Sequence, residues 1–92
     1  MAVIEIEEFA LRTGVTPEEF LVLDEKCQLW SYANRRGLVR RTTAVTATRW
    51  AVVTWWANES AAAVDDDAEC RRSWLGAIDT DSLQSRSYTT LD

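Results

Sequence analysis

The chain contains no histidine. That removes the commonest general base near neutral pH, the usual zinc ligand and the usual proximal haem ligand. Chemistry here falls to carboxylates, Tyr, Arg, Cys or the acidity of the substrate itself. Cysteine is scarce too: Cys27 and Cys70 have no CxxC or other metal-ligand spacing, so two reduced thiols are expected. With Gly 3 and Pro 1, no glycine-rich phosphate loop and no linker can be picked out. Bases are outnumbered, Lys+Arg 10 against Asp+Glu 15, for a formal net charge of −5. Nucleic acid requires net or clustered positive charge, and the only basic clusters are Arg35-Arg36, Arg40-Arg41 and Arg71-Arg72. These short pairs read as solvated rims or salt-bridge partners. No apolar run approaches the ~20 residues of a membrane span, and the acidic start MAVIEIEEFA lacks the basic region of a signal peptide. A soluble, cytoplasmic protein is expected, with no nucleic-acid or membrane partner.

What is abundant is tryptophan, with five in 92 residues. Each ring can bury about 150–250 Å², a load that serves a pocket, an interface or a small core short of volume. Two of the five, Trp55 and Trp56, are neighbours in RWAVVTWWANESAA, which otherwise reads as a strand. Successive strand residues point to opposite faces, so each sheet face would carry one ring.

The other elements follow from local signals. VIEIEEF alternates as a strand from about Ala2 to Leu11, with Ile4 and Ile6 on one face and Val3, Glu5, Glu7 and Phe9 on the other. In VTPEEF, Thr16 and Glu19 form a capping box, Pro17 suits the first helical position, and Val15 and Phe20 stand at the staple positions. The helix so begun is expected to reach about Arg36, with Gly37 at C′. Its stripe Phe20, Leu23, Cys27, Trp30, Asn34 is accompanied by a second apolar arc of Val22, Leu29 and Ala33. LVRRTTAVTATR reads as a second strand, with a tight or bulged connection near Thr48 and Arg49 to the third. Asn58 caps a second helix over ESAAAVDDDAECRRSWLGAI, in which Asp67 and Arg71 make an i,i+4 pair. DTDS reads as a loop and LQSRSYTTL as a last, edge strand.

The order β-α-β-β-α-β is the ferredoxin-like plan, an α+β fold with a four-stranded antiparallel sheet and two helices on one face. One such domain accounts for residues 1–92. Alternation along the third strand puts Trp50, Val52, Thr54 and Trp56 on one face and Ala51, Val53, Trp55 and Ala57 on the other. Neither is polar, so the face the helices leave open would expose an apolar patch that marks an interaction site. A homodimer packed sheet to sheet covers it.

The β-α-β-β-α-β order in about ninety residues, with VVTWWANESAA joining the third strand to the second helix, resembles the dimeric α+β barrel superfamily. Within it, Trp56 at the strand end followed by Ala61 as the helix begins is similar to the antibiotic biosynthesis monooxygenase domains. The resemblance implies a homodimer with a cavity in each subunit. It also implies a range of activities: cofactor-independent oxygenation of aromatic polyketides, haem degradation, isomerisation or cyclisation. The haem-degrading members carry a His on the second helix and an Asn on the first strand; here Asp65 and Glu7 fall near those positions. The resemblance therefore favours a protein that needs no cofactor.

Candidate site residues are few. Glu5 and Glu7 share a face with Val3 and Phe9, taken to be the open side of the sheet. A carboxylate desolvated by aromatic rings makes a base for an acidic phenol or 1,3-diketone proton; a shifted first strand, or pairing with Arg41 across the sheet, is the alternative. Trp56 is a candidate wall for a planar apolar small molecule, weighed against the more ordinary part of a barrel-core or dimer-interface anchor. Trp50 and Phe9 lie on the same faces, and Tyr32, Asn34 and Tyr88 are candidate orienting groups. Asp65, Asp66, Asp67 and Glu69 diverge around a helix and do not make a metal site. Cys27 and Cys70 are taken as mid-helix packing residues. A non-catalytic binding or accessory protein, or a carboxylate-based isomerase or cyclase, fits the same residues.

Overall fold

A computed structural model describes residues 1–64 and 68–91. It contains β1 (Val3–Leu11), α1 (Pro17–Asn34), β2 (Leu38–Thr46), β3 (Arg49–Trp56), α2 (Glu59–Ala62), α3 (Glu69–Ala77) and β4 (Ile78–Thr89). The strands form one antiparallel sheet in the order β2-β3-β1-β4. This is the ferredoxin-like α+β fold, with β4 at an edge. Among the described residues no helix is long and apolar enough to cross a membrane.

Local chemistry sets most boundaries. The Thr16 hydroxyl accepts from the Glu19 amide at 3.1 Å and the Glu19 carboxylate accepts from the Thr16 amide at 3.4 Å, closing the capping box. The helix stops at Asn34, and Gly37 takes a φ of +82° in the turn into β2. A Cβ at Gly37 would come within 2.5 Å of the Ala61 Cβ, so glycine also permits the close approach of α2. The β2–β3 turn is Ala47-Thr48, with Ala47 left-handed at φ +51°.

Two expectations need correction. The single helix expected from Glu59 is two helices: α2 ends at Ala62, and the chain re-enters a helix at Glu69 behind an Ala68 that provides no side-chain cap. The Asp65–Asp67 run and its pairing with Arg71 lie outside the described residues. The supposed DTDS loop is strand, because β4 starts at Ile78 directly after α3. There Ala10 pairs with Asp79 and Leu11 with Ile78, across a register shift beside Glu8.

The core lies between the sheet and the helices. Phe9, Phe20 and Trp74 are fully buried, and Trp50 nearly so. Ring centroids stand 4.9 Å apart for Phe9–Trp74 and Phe20–Trp50, and 5.5 Å for Phe9–Phe20, all edge-on. Such pairs add about 0.5–1.5 kcal/mol beyond area burial. One carboxylate is sunk beside them. Asp24 of α1 accepts from Trp74 Nε1 at 3.0 Å, Arg41 Nη2 at 2.7 Å and Thr43 Oγ1 at 2.6 Å. The Asp24 and Arg41 side chains are only 7 % and 8 % exposed, so each charge depends on the other.

Asp24→Ala strands the Arg41 guanidinium and is expected to cost about 3–5 kcal/mol in urea unfolding. Trp74→Phe, which removes one donor of three, is expected to cost less. An Asp24→Ala variant within about 1 kcal/mol of wild type would contradict this role.

Candidate functional site

Register fixes what each sheet face presents. Glu5 pairs with Thr54 and Ser87, and Thr54 with Arg41, so Ser87, Glu5, Thr54 and Arg41 form one row across the sheet. The row on one side contains Ser85, Glu7, Val52 and Thr43; the row on the other contains Thr89, Val3, Trp56 and Leu38. All three rows lie on the helix-covered face, since Val3, Val52 and Trp56 are buried with the core or beside it. Contrary to expectation, Glu5 and Glu7 therefore do not face the open side; with Trp50 and Trp56 they face the helices. Alternation sorts residues into two sets but does not say which set the helices cover.

Where these rows carry Ser and Thr in place of large apolar side chains, the sheet and helices do not meet. A cavity of about 400 Å³ remains. Its floor is Glu5, Glu7, Thr54, Trp56, Ser85 and Ser87; Ser31 from α1, Arg35 just after it, Val64, and Arg71 from α3 line it from above. A volume of this size suits a small multi-ring molecule.

The charges in the cavity are unevenly paired. Arg71 grips Glu7 through both oxygens, at 2.8 Å and 3.1 Å, while its guanidinium lies 4.6 Å from the Trp74 ring centroid. Arg41 is committed to Asp24. Glu5 accepts a hydrogen bond from Trp56 Nε1, and among the described residues no Lys or Arg forms a salt bridge with it. Glu5 is thus the cavity carboxylate held by a neutral donor. Trp56 is 5 % exposed, and the Arg35 guanidinium covers one face of its ring at 4.5 Å.

The remaining candidates lie elsewhere. Phe9 and Trp50 are core residues. The Tyr32 hydroxyl sits on the surface against the Arg41 backbone, accepting from its amide at 2.7 Å. Asn34 donates to the Trp30 carbonyl at 2.9 Å, and Tyr88 is half exposed on the opposite sheet face, beside Ile4. Sequence reasoning missed Arg71, Arg35 and the hydroxyls of Ser31, Thr54, Ser85 and Ser87. Alternation in β4 could have flagged the two serines. Nothing local points from Arg71 to Glu7.

No protein-family model matches the chain, and no curated protein matches it by sequence. Solved structures do match. SnoaB, a cofactor-independent oxygenase from Streptomyces nogalater, superposes with a TM-score of 0.76 at 14 % identity, covering 99 % of this chain and 94 % of that one. A candidate antibiotic biosynthesis monooxygenase from Nitrosomonas europaea gives 0.78 at 16 % identity, covering 98 % and 90 %. A dimeric protein of unknown function and ferredoxin-like fold from Bacteroides fragilis gives 0.68 at 17 % identity, covering 97 % and 96 %. At such low identity the likeness is one of fold: the chain shares the ferredoxin-like α+β fold of these proteins along nearly its whole length.

The Glu7–Arg71 pair is partly shielded, with side chains 19 % and 26 % exposed. A double-mutant cycle with Glu7→Gln and Arg71→Gln is expected to return a coupling of about 1 kcal/mol in urea unfolding. Strict additivity would mean that the two residues do not hold each other.

Proposed function

We propose that the protein binds a planar, largely apolar molecule in the cavity between sheet and helices and oxygenates it without a cofactor. The observation that carries this reading is Glu5. It is a carboxylate in the cavity between sheet and helices, oriented by the Trp56 indole N–H and left without a salt bridge among the described residues. Such a group can take a proton from an acidic carbon or phenol. Both oxygens of Glu7 are engaged by Arg71, and it serves as a fixed wall.

In the proposed reaction Glu5 removes a proton from the activated methylene of an anthrone-type substrate. The resulting carbanion reduces O2, a carbon–oxygen bond forms, and loss of water from the hydroperoxide leaves a carbonyl. One oxygen atom ends in the product and one in water. The protein supplies orientation, the base and shelter from bulk water. Ser and Thr hydroxyls on the cavity floor suit a substrate with several ring oxygens.

The chain is further proposed to act as a soluble, cytoplasmic homodimer. The open sheet face presents Ile4, Ile6, Val53 and Trp55, flanked by Tyr88. Trp55 is 41 % and Tyr88 49 % exposed. A second copy laid on this face buries an apolar patch of the kind monomers seldom leave open, and the Bacteroides fragilis protein of the same fold is dimeric.

Oxygen uptake with an anthrone tests the chemistry. Glu5→Gln, which can still accept from Trp56, is expected to lose about 10²–10⁴-fold in kcat/KM, and Glu7→Gln to stay within about tenfold. Full activity in Glu5→Gln would overturn the assignment of the base. Turnover without oxygen consumption would transfer the site to isomerisation or cyclisation.

Sedimentation tests the assembly. Trp55→Glu is expected to convert a dimer to a folded monomer, and a monomeric wild type at micromolar concentration would contradict the interface.

A further inference from the structure

The two cysteines stand far apart in sequence and together in the fold. Cys27, on the inner face of α1, is 5 % exposed and belongs to the core cluster. Cys70 is the second residue of α3, not a mid-helix position, and packs against that same cluster. Cys70 lies in the seam between the helices beside Leu23, Lys26 and Trp30, the α1 residues one turn either side of Cys27 and next to it. Both are free thiols. Their environments differ in one respect: Cys70 is partly exposed and lines a surface cleft of about 420 Å³ with Leu23, Lys26, Trp30, Glu69 and Ser73, whereas Cys27 lies behind it.

We infer that Cys27 and Cys70 form a reversible intrachain disulfide when the protein meets a peroxide, stapling α1 to α3. The order of events follows from access. The Cys70 sulfur attacks hydrogen peroxide from the cleft, the O–O bond breaks, and a sulfenic acid and one water are formed. The Cys27 sulfur then attacks the Cys70 sulfur. The S–O bond breaks, and the hydroxyl leaves as a second water with the Cys27 proton. Two thiols have lost two electrons and peroxide has gained two. Burial, reinforced by the Cys70 thiol, pushes the Cys27 thiol up to about 12. It is therefore protonated near neutral pH and does not compete with Cys70 for peroxide; it gives up its proton to the departing hydroxide only as it attacks, which makes the second step the slower one.

The staple reaches the cavity. Arg71, next after Cys70 in α3, holds Glu7, so a bond at Cys70 ties the α3 part of the cavity's roof to α1. This inference does not depend on the oxygenase reading and survives its failure.

The test is to treat the purified protein with hydrogen peroxide, then measure intact mass and map peptides without reduction. The expected product is a chain lighter by about 2 Da, with Cys27 joined to Cys70 and reversed by dithiothreitol. Its Tm is expected to rise by about 10 °C or more, because the bond closes a long loop. Cys70→Ser should give neither change, and Cys27→Ala should leave Cys70 oxidised but unlinked. Cys70–Cys70 linkage between chains, oxidation of Cys70 that stops at the sulfinic acid, or two thiols still free after treatment would each overturn the proposal.

Discussion

The buried carboxylate of Asp24 is the contact on which the rest depends. It draws donors from β2 and α3 onto α1, through Arg41, Thr43 and Trp74. A lone charge at that depth would be prohibitive; with three donors it becomes a fixed point. On one side of it stand the interlocked rings of Phe9, Phe20, Trp50 and Trp74. On the other lies the cavity. Asp24 also decides the cavity's electrostatics, because it absorbs the charge of Arg41, the guanidinium in the same sheet row as Glu5.

The pairing pattern then follows. Arg71 is drawn to Glu7, and Arg86 to Glu8 on the opposite face. Glu5 is left with an indole N–H. A base needs to be oriented without being neutralised, and a neutral donor achieves this where a guanidinium would not. The space before it exists because Ser85, Ser87 and Thr54 stand where larger side chains would have filled the gap.

Much of this was legible in the sequence. The capping box placed α1, alternation in β1 and β3 gave the correct face partners, and the element order gave the fold. Sidedness was not legible. Trp50 and Trp56 share a face with Glu5 and Glu7 in any register-respecting reading, but only the packing of α1 and α3 shows that this face is the covered one. Tyr32 and Asn34 looked like site residues because they sit near the end of α1; their polar atoms instead satisfy nearby backbone. Long-range partners such as Arg71 for Glu7, or Cys70 for Cys27, carry no local signal, because the fold alone brings them together. The second helix was misjudged because helical spacing and charge order persist across Asp65–Asp67, while nothing after Ala62 obliges the helix to continue.

The central claim is that a ligand enters between sheet and helices and meets Trp56 and Glu5. The most direct measurement is a ¹H–¹⁵N spectrum of the indole N–H groups, titrated with a hydroxylated anthrone. A saturable shift of the Trp56 indole that is altered in Glu5→Gln, with Trp55 unmoved, is the predicted result. A shift confined to Trp55 would put the ligand on the open face and contradict the account.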